Sequence, residues 1–139
     1  MVRLAQLSDL PFITHGLLNL KQQTAWSRYK QSGYNNDTLS QFIKDRLVDS
    51  QSVCYVSCCG DGQLCAFCGG SLNRFYLPPH MPLVFEWGWF GPSKQATECW
   101  HAVVQWGRKH GAELAGRVRA HPGSRPGKIV EQYVWKVLR

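Results

Sequence analysis

Residues 83 to 100 read LVFEWGWFGPSKQATECW, and one carboxylate, Glu86, stands there among eight mostly apolar residues. Burying such a group unpaired is costly, so its presence needs a reason. A carboxylate in a dry site becomes a stronger base and can act as a general base. Paired with an arginine, or half-exposed, it is instead a structural strand residue, and structural ion pairs are also common. Directly after the apolar run, Gly91-Pro92 turns the chain and Ser93 opens a helical pattern. A strand that enters a helix through so tight a corner bares the first N–H groups of the helix, and these attract anions.

Cysteine offers a second chemistry. Cys54, Cys58, Cys59, Cys65 and Cys68 crowd into CYVSCCGDGQLCAFC, with C-x-x-C spacing from Cys65 to Cys68. Zinc needs four ligands that converge on one point. The segment also reads as a hairpin, with Gly60-Asp61-Gly62 as its turn. On alternating strands Cys58 and Cys59 point apart, as do Cys65 and Cys68. The expectation is therefore core-filling thiols without a metal site. His110 at a helix end is explained by the helix dipole. His121, before Pro122 in a loop, has no partner that would make it catalytic.

The whole chain bounds these readings. Its 139 residues suit one domain, 1–139, and 44% hydrophobic against 18% charged residues excludes disorder. No apolar run is long enough to span a bilayer. The opening MVRLAQLSDL lacks a signal-peptide core, so a cytoplasmic location is expected, and with it no disulfide framework. Charge is uneven. From Arg108 onward eight basic residues face only Glu113 and Glu131, so the last quarter holds +6 of the net +7. A polyanion, an acidic protein partner or plain solvent could each meet that face.

The elements that must position these residues follow from periodicity. VRLAQL alternates as a first strand, and Ser8 is placed to cap a helix with Leu10, Ile13, Leu17 and Leu20 on one stripe. Thr38 to Gln41 forms a capping box for a second helix with Leu39, Phe42, Ile43 and Leu47 inward. The hairpin 53–70 comes next, then the Pro-broken connection 71–82 and a fourth strand, 83–90. Strict alternation places Glu86 on the face of Val84, Gly88 and Phe90. Ser93 caps a third helix with Ala96, Cys99, Trp100, Val103 and Val104 inward, which ends at Gly111. ELAGRVRA, the loop HPGSRPG and KIVEQYVWKVL supply the last two strands. The expected fold is α+β, a twisted and mostly antiparallel sheet of about six strands flanked by three helices.

That order of elements resembles the GNAT acyltransferases. VRLAQLSDLPFI looks like the family's opening strand and first helix, and VCYVSCCGDGQLCAFCGGSL is similar to its second and third strands. WFGPSKQATECWHAVVQWGRKHGAEL looks like the fourth strand, the cofactor-binding helix and the start of the fifth strand. The resemblance implies a V-shaped slot for acetyl-CoA or coenzyme A. Phe90 and Gly91 would serve its amide arm, and Ser93, Lys94 and Gln95 its diphosphate. Glu86 would be the base and Tyr133 the general acid. Two family phrases are missing. SKQA replaces the glycine-rich phosphate loop, and no Tyr-x-x-x-Gly-Phe follows the fifth strand. The resemblance implies transfer from an acyl-CoA to an amine of a small molecule or a protein. The alternative is the same fold without the chemistry: an inactive adaptor, viral in one version, that binds a host protein or nucleic acid through its basic C-terminal quarter.

Overall fold

An apolar stripe on a helix has to be buried against something, and here the partner is one mixed sheet. The structure, a computed structural model, describes residues 1–23, 36–74, 80–122 and 129–138. The elements are β1 (Val2–Leu4), a 3-10 turn (Leu7–Asp9), α1 (Leu10–Gln23), α2 (Asn36–Val48), β2 (Ser52–Cys58) and β3 (Leu64–Arg74). They continue with β4 (Pro82–Phe90), α3 (Ser93–Lys109), β5 (Leu114–Pro122) and β6 (Ile129–Val137). The strands lie side by side in chain order. All neighbours are antiparallel except β4 and β5. A parallel pair needs a crossover, and α3 provides it.

The helices split between the two faces. Ile13 and Leu17 of α1, with Leu39 and Ile43 of α2, pack on Cys54, Val56 and Phe67. On the opposite face α3 sets Ala96, Cys99, Trp100, Val103 and Val104 against Val53, Ala66, Cys68, Val84 and Ala115. The six strands, three helices and inward stripe of α3 thus match the sequence reading, while Leu20 lies outside the residues whose side chains are described. Gly111 follows α3 at φ +89°, the left-handed position that a glycine ends a helix with.

Several local expectations are corrected. Ser8 is not the cap of α1: the turn begins at Leu7, and Asp9 anchors it. The Asp9 carboxylate accepts from the Gln6 backbone N–H at 2.8 Å and takes both forks of Arg3, at 2.8 and 3.0 Å. A buried carboxylate reached from β1 outcompetes an exposed serine. Thr38 lies within the first turn of α2, which starts at Asn36. β3 runs on to Arg74, since Ser71 to Arg74 pair with Phe85 to Pro82 before any proline intervenes. β5 extends through His121 and Pro122. Ser93 is the first helical residue, and Pro92 is the cap.

Cys59 and Cys65 form a disulfide, against the expectation of free thiols throughout. The register shift after Ser57 is the reason. Ser57 pairs with Ala66 but Cys58 with Leu64, so Cys65 is an extra residue that leaves the alternation and meets Cys59 across the turn, Cα to Cα 5.8 Å.

The Asp9 carboxyl is held below its ordinary value of 3.8, first by the Arg3 hydrogen bonds and then by the Gln6 N–H. A depressed folded-state value means stability that is present above that ordinary pH and is lost as pH falls through the lower, folded value. Asp9→Asn should therefore cost most near neutrality, and its deficit against the parent should shrink in acid. Urea unfolding from pH 7 downward measures it; a deficit that does not change with pH contradicts the assignment.

Candidate active site

The parallel pairing of β4 with β5 is short. It runs from Leu83↔Leu114 to Phe85↔Gly116 and then stops, although both strands continue. The next residue on each strand is Glu86 and Arg117. They meet across the vertex, with Arg117 Nε 3.2 Å from Glu86 Oε2, and the side chains are 12% and 3% exposed. The contact is one of charge, since among the described residues the buried Nε–H has no acceptor aligned with it. The guanidinium also lies over Trp100, 5.1 Å from the ring centroid, and near Trp89 at 5.9 Å. Aromatic faces attract cations, most strongly where water is excluded. Arg117 therefore fills the space between β4, β5 and α3 on the α3 side of the vertex.

From the third strand Cys68 completes the cluster. Its thiol donates to Glu86 Oε2 at 3.6 Å. Burial pushes the thiol well above its ordinary range and the Glu86 charge pushes it further, so Cys68 remains a protonated donor rather than a nucleophile.

Past Glu86 the alternation expected for the strand breaks. Gly70 pairs with Glu86 but Gly69 with Gly88, which leaves Trp87 as a bulge. Trp87 packs edge-on against Phe42 of α2, and a side chain at Gly88 would run into Leu17 of α1. Trp89 returns to the α3 face, while Phe90 joins Phe12 and Phe67 beneath α1. Glu86 thus shares its face with Val84 and Trp89, and not with Gly88 and Phe90 as strict alternation requires.

At the corner Gly91 has φ +118°, and a Cβ there would collide with the Cys65 carbonyl and Ala66. Only glycine lets the chain turn so close to β3. Pro92, Ser93 and Lys94 are exposed, and Gln95 is half-buried. Among the described residues no side chain caps α3, and its first backbone bond runs from the Ala96 N–H to the Pro92 carbonyl at 2.9 Å. The N–H groups of Ser93, Lys94 and Gln95 precede that bond, which is the donor set a diphosphate takes at a helix N-terminus.

Of the residues singled out from sequence, Phe90 to Gln95 form this one corner and Glu86 lies along the strand that leads to it. Tyr133 is apart from them, on β6 opposite Val118; its side chain is outside the described residues. Arg117, Cys68, Trp89 and Trp100 were not singled out as a cluster. Arg117 had counted toward the surface charge, and its burial corrects that. The available signal was the alternation that puts Arg117 on the face of buried Ala115. Among the described residues no three or more His, Cys, Asp or Glu side chains cluster as metal ligands.

No protein-family model matches the sequence, and no curated protein matches it. Solved structures do match in fold. AAC(6')-Iy in complex with the bisubstrate analogue CoA-S-monomethyl-acetylneamine superposes with a TM-score of 0.65 at 18% identity, over 89% of this chain and 81% of that one. An acetyltransferase from Vibrio fischeri gives 0.59 at 13%, over 84% and 93%. A transcriptional regulator from Bacillus halodurans C-125 gives 0.62 at 15%, over 91% and 84%. The chain has a GNAT-like fold.

Arg117→Met takes the cation from a buried carboxylate, and breaking such a pair costs about 3–5 kcal/mol. Urea unfolding should show that loss, and adding Glu86→Gln should recover part of it by removing the charge left behind. A single-variant loss below about 1 kcal/mol, the range of exposed pairs, contradicts the buried-pair account.

Proposed function

We propose that the chain is an acyltransferase that moves an acyl group from acetyl-CoA, or a related acyl-CoA, to an amine of a small molecule or a protein. The splay carries the proposal: β4 and β5 part after Phe85 and Gly116, beside an uncapped helix N-terminus. The residues there fit such a ligand. Phe90 and Gly91 would offer strand-end backbone groups to its amide arm. Ser93, Lys94 and Gln95 would offer N–H groups to its diphosphate, with Lys94 adding a charge. Acyl-CoA supplies the activated thioester. Glu86 would take the proton of the incoming amine, through water because the carboxylate is covered, and Tyr133 is the candidate proton donor. SKQA has no glycine with which to wrap the phosphates, so the grip is expected to be weak.

One observation favours a second reading. Glu86 is 6% exposed and already faces Arg117, so its charge has a structural role whether or not it does chemistry. A fold alone does not assign function. In this reading the chain is a binding module that meets an acidic protein or nucleic acid with its basic quarter.

Calorimetry with acetyl-CoA and coenzyme A separates the two. The enzyme reading predicts binding that Lys94→Glu abolishes without lowering the melting temperature. It also predicts release of free thiol with an amine acceptor, slowed about a hundredfold or more in Glu86→Gln. No heat at about millimolar ligand leaves the binding module.

A further inference from the structure

The helices do not cover the sheet evenly. α3 packs on β1 to β4, while α1 lies over β4 and α2 over β2; among the described residues no helix packs broadly on β5 or β6. Beside α3 this leaves an open groove of about 330 Å³. One wall is the outward stripe of α3, where His101, Gln105 and Arg108 recur at helical spacing and are exposed. The other wall is the end of β6, with Lys136 and Val137 exposed. Buried Val104 and half-buried Leu138 add apolar surface between them.

Among the described residues the lining contains no acidic side chain, and the segment that supplies Arg108 and Lys136 holds most of the net charge. Both parts of this surface matter. Cations alone would suit any polyanion, but apolar groups between them do nothing for a phosphate backbone. Among the described residues no aromatic side chain lines the groove to stack a base. A polypeptide that carries carboxylates beside a large aliphatic side chain uses both. The groove also stands clear of the corner at Ser93: His101 to Arg108 lie about 12–22 Å farther along α3 at 1.5 Å per residue.

We propose that this groove is a docking site for an acidic peptide segment, which seats an aliphatic side chain on Val104 and Leu138 and turns its carboxylates toward Lys136 and Arg108. The proposal is independent of acyl transfer. Electrostatic complementarity of this kind sets the salt dependence of association and selects the partner.

The probe is a short synthetic peptide of alternating glutamate and leucine, titrated by calorimetry against the whole chain. The comparisons are the same peptide with glutamine for glutamate, and a double-stranded DNA oligonucleotide. The glutamate peptide should bind, lose affinity as salt rises, and outcompete both comparisons. Gln105→Glu with Lys136→Glu changes only exposed side chains, and should weaken the peptide about tenfold at an unchanged melting temperature. Should that variant fold poorly, methyl NMR of the parent chain decides: Val104 and Leu138 signals should shift with peptide. Absence of binding, equal binding to a folded variant, unmoved methyl signals or tighter binding of the DNA would each overturn the proposal.

Discussion

A carboxylate inside a sheet has to meet a cation, and in this protein that requirement falls at the point where two parallel strands part. Glu86 and Arg117 are the first residues beyond the last β4–β5 rung. Their contact closes the vertex by charge where backbone hydrogen bonds stop. Arg117 brings Trp89 and Trp100 into the same cluster, so β4, β5 and α3 are tied together at one place. Dehydrating both ions costs several kcal/mol each, which the attraction between them offsets only when the geometry is retained. The pair therefore specifies where the strands diverge more than it adds to stability.

The rest of the candidate site depends on that divergence. The bulge at Trp87 lets β4 keep pairing with β3 while it changes which residues face α3. Phe90 is consequently directed under α1, where its ring stacks on Phe67, and Gly91 turns the chain against β3. α3 then begins with three N–H donors at the surface beside the open end of the splay. Strand, turn and helix dipole converge there because the core on each face is filled. The long stripe of α3, from Ala96 to Val104, holds the helix axis in place.

Much of this was legible in the sequence because period and side chain agreed. The stripe of α3, the Gly60-Asp61-Gly62 turn and the six strands all follow from local pattern. The misses share a cause. Asp9 displaced Ser8 at the first helix because Arg3 reaches it from β1, a contact between elements that no local cap rule contains. The faces beyond Glu86 and the Cys59–Cys65 pairing depend on single-residue register shifts, and one inserted residue reverses every side chain after it. Arg117 was counted as surface charge because alternation shows that a residue faces inward only once its buried neighbours are known.

Residue-resolved amide hydrogen exchange tests the central claim, that the β4–β5 splay is an open slot for an acyl-CoA, most directly. The amides of the paired stretch, Leu83 to Phe85 against Leu114 to Gly116, should exchange slowly with or without ligand. Those of β5 beyond Gly116 that face β4 should exchange fast in the free chain and slow when acetyl-CoA saturates it, together with the Ser93, Lys94 and Gln95 amides. Slow exchange beyond Gly116 in the free chain, or exchange that acetyl-CoA leaves unchanged, would contradict the account.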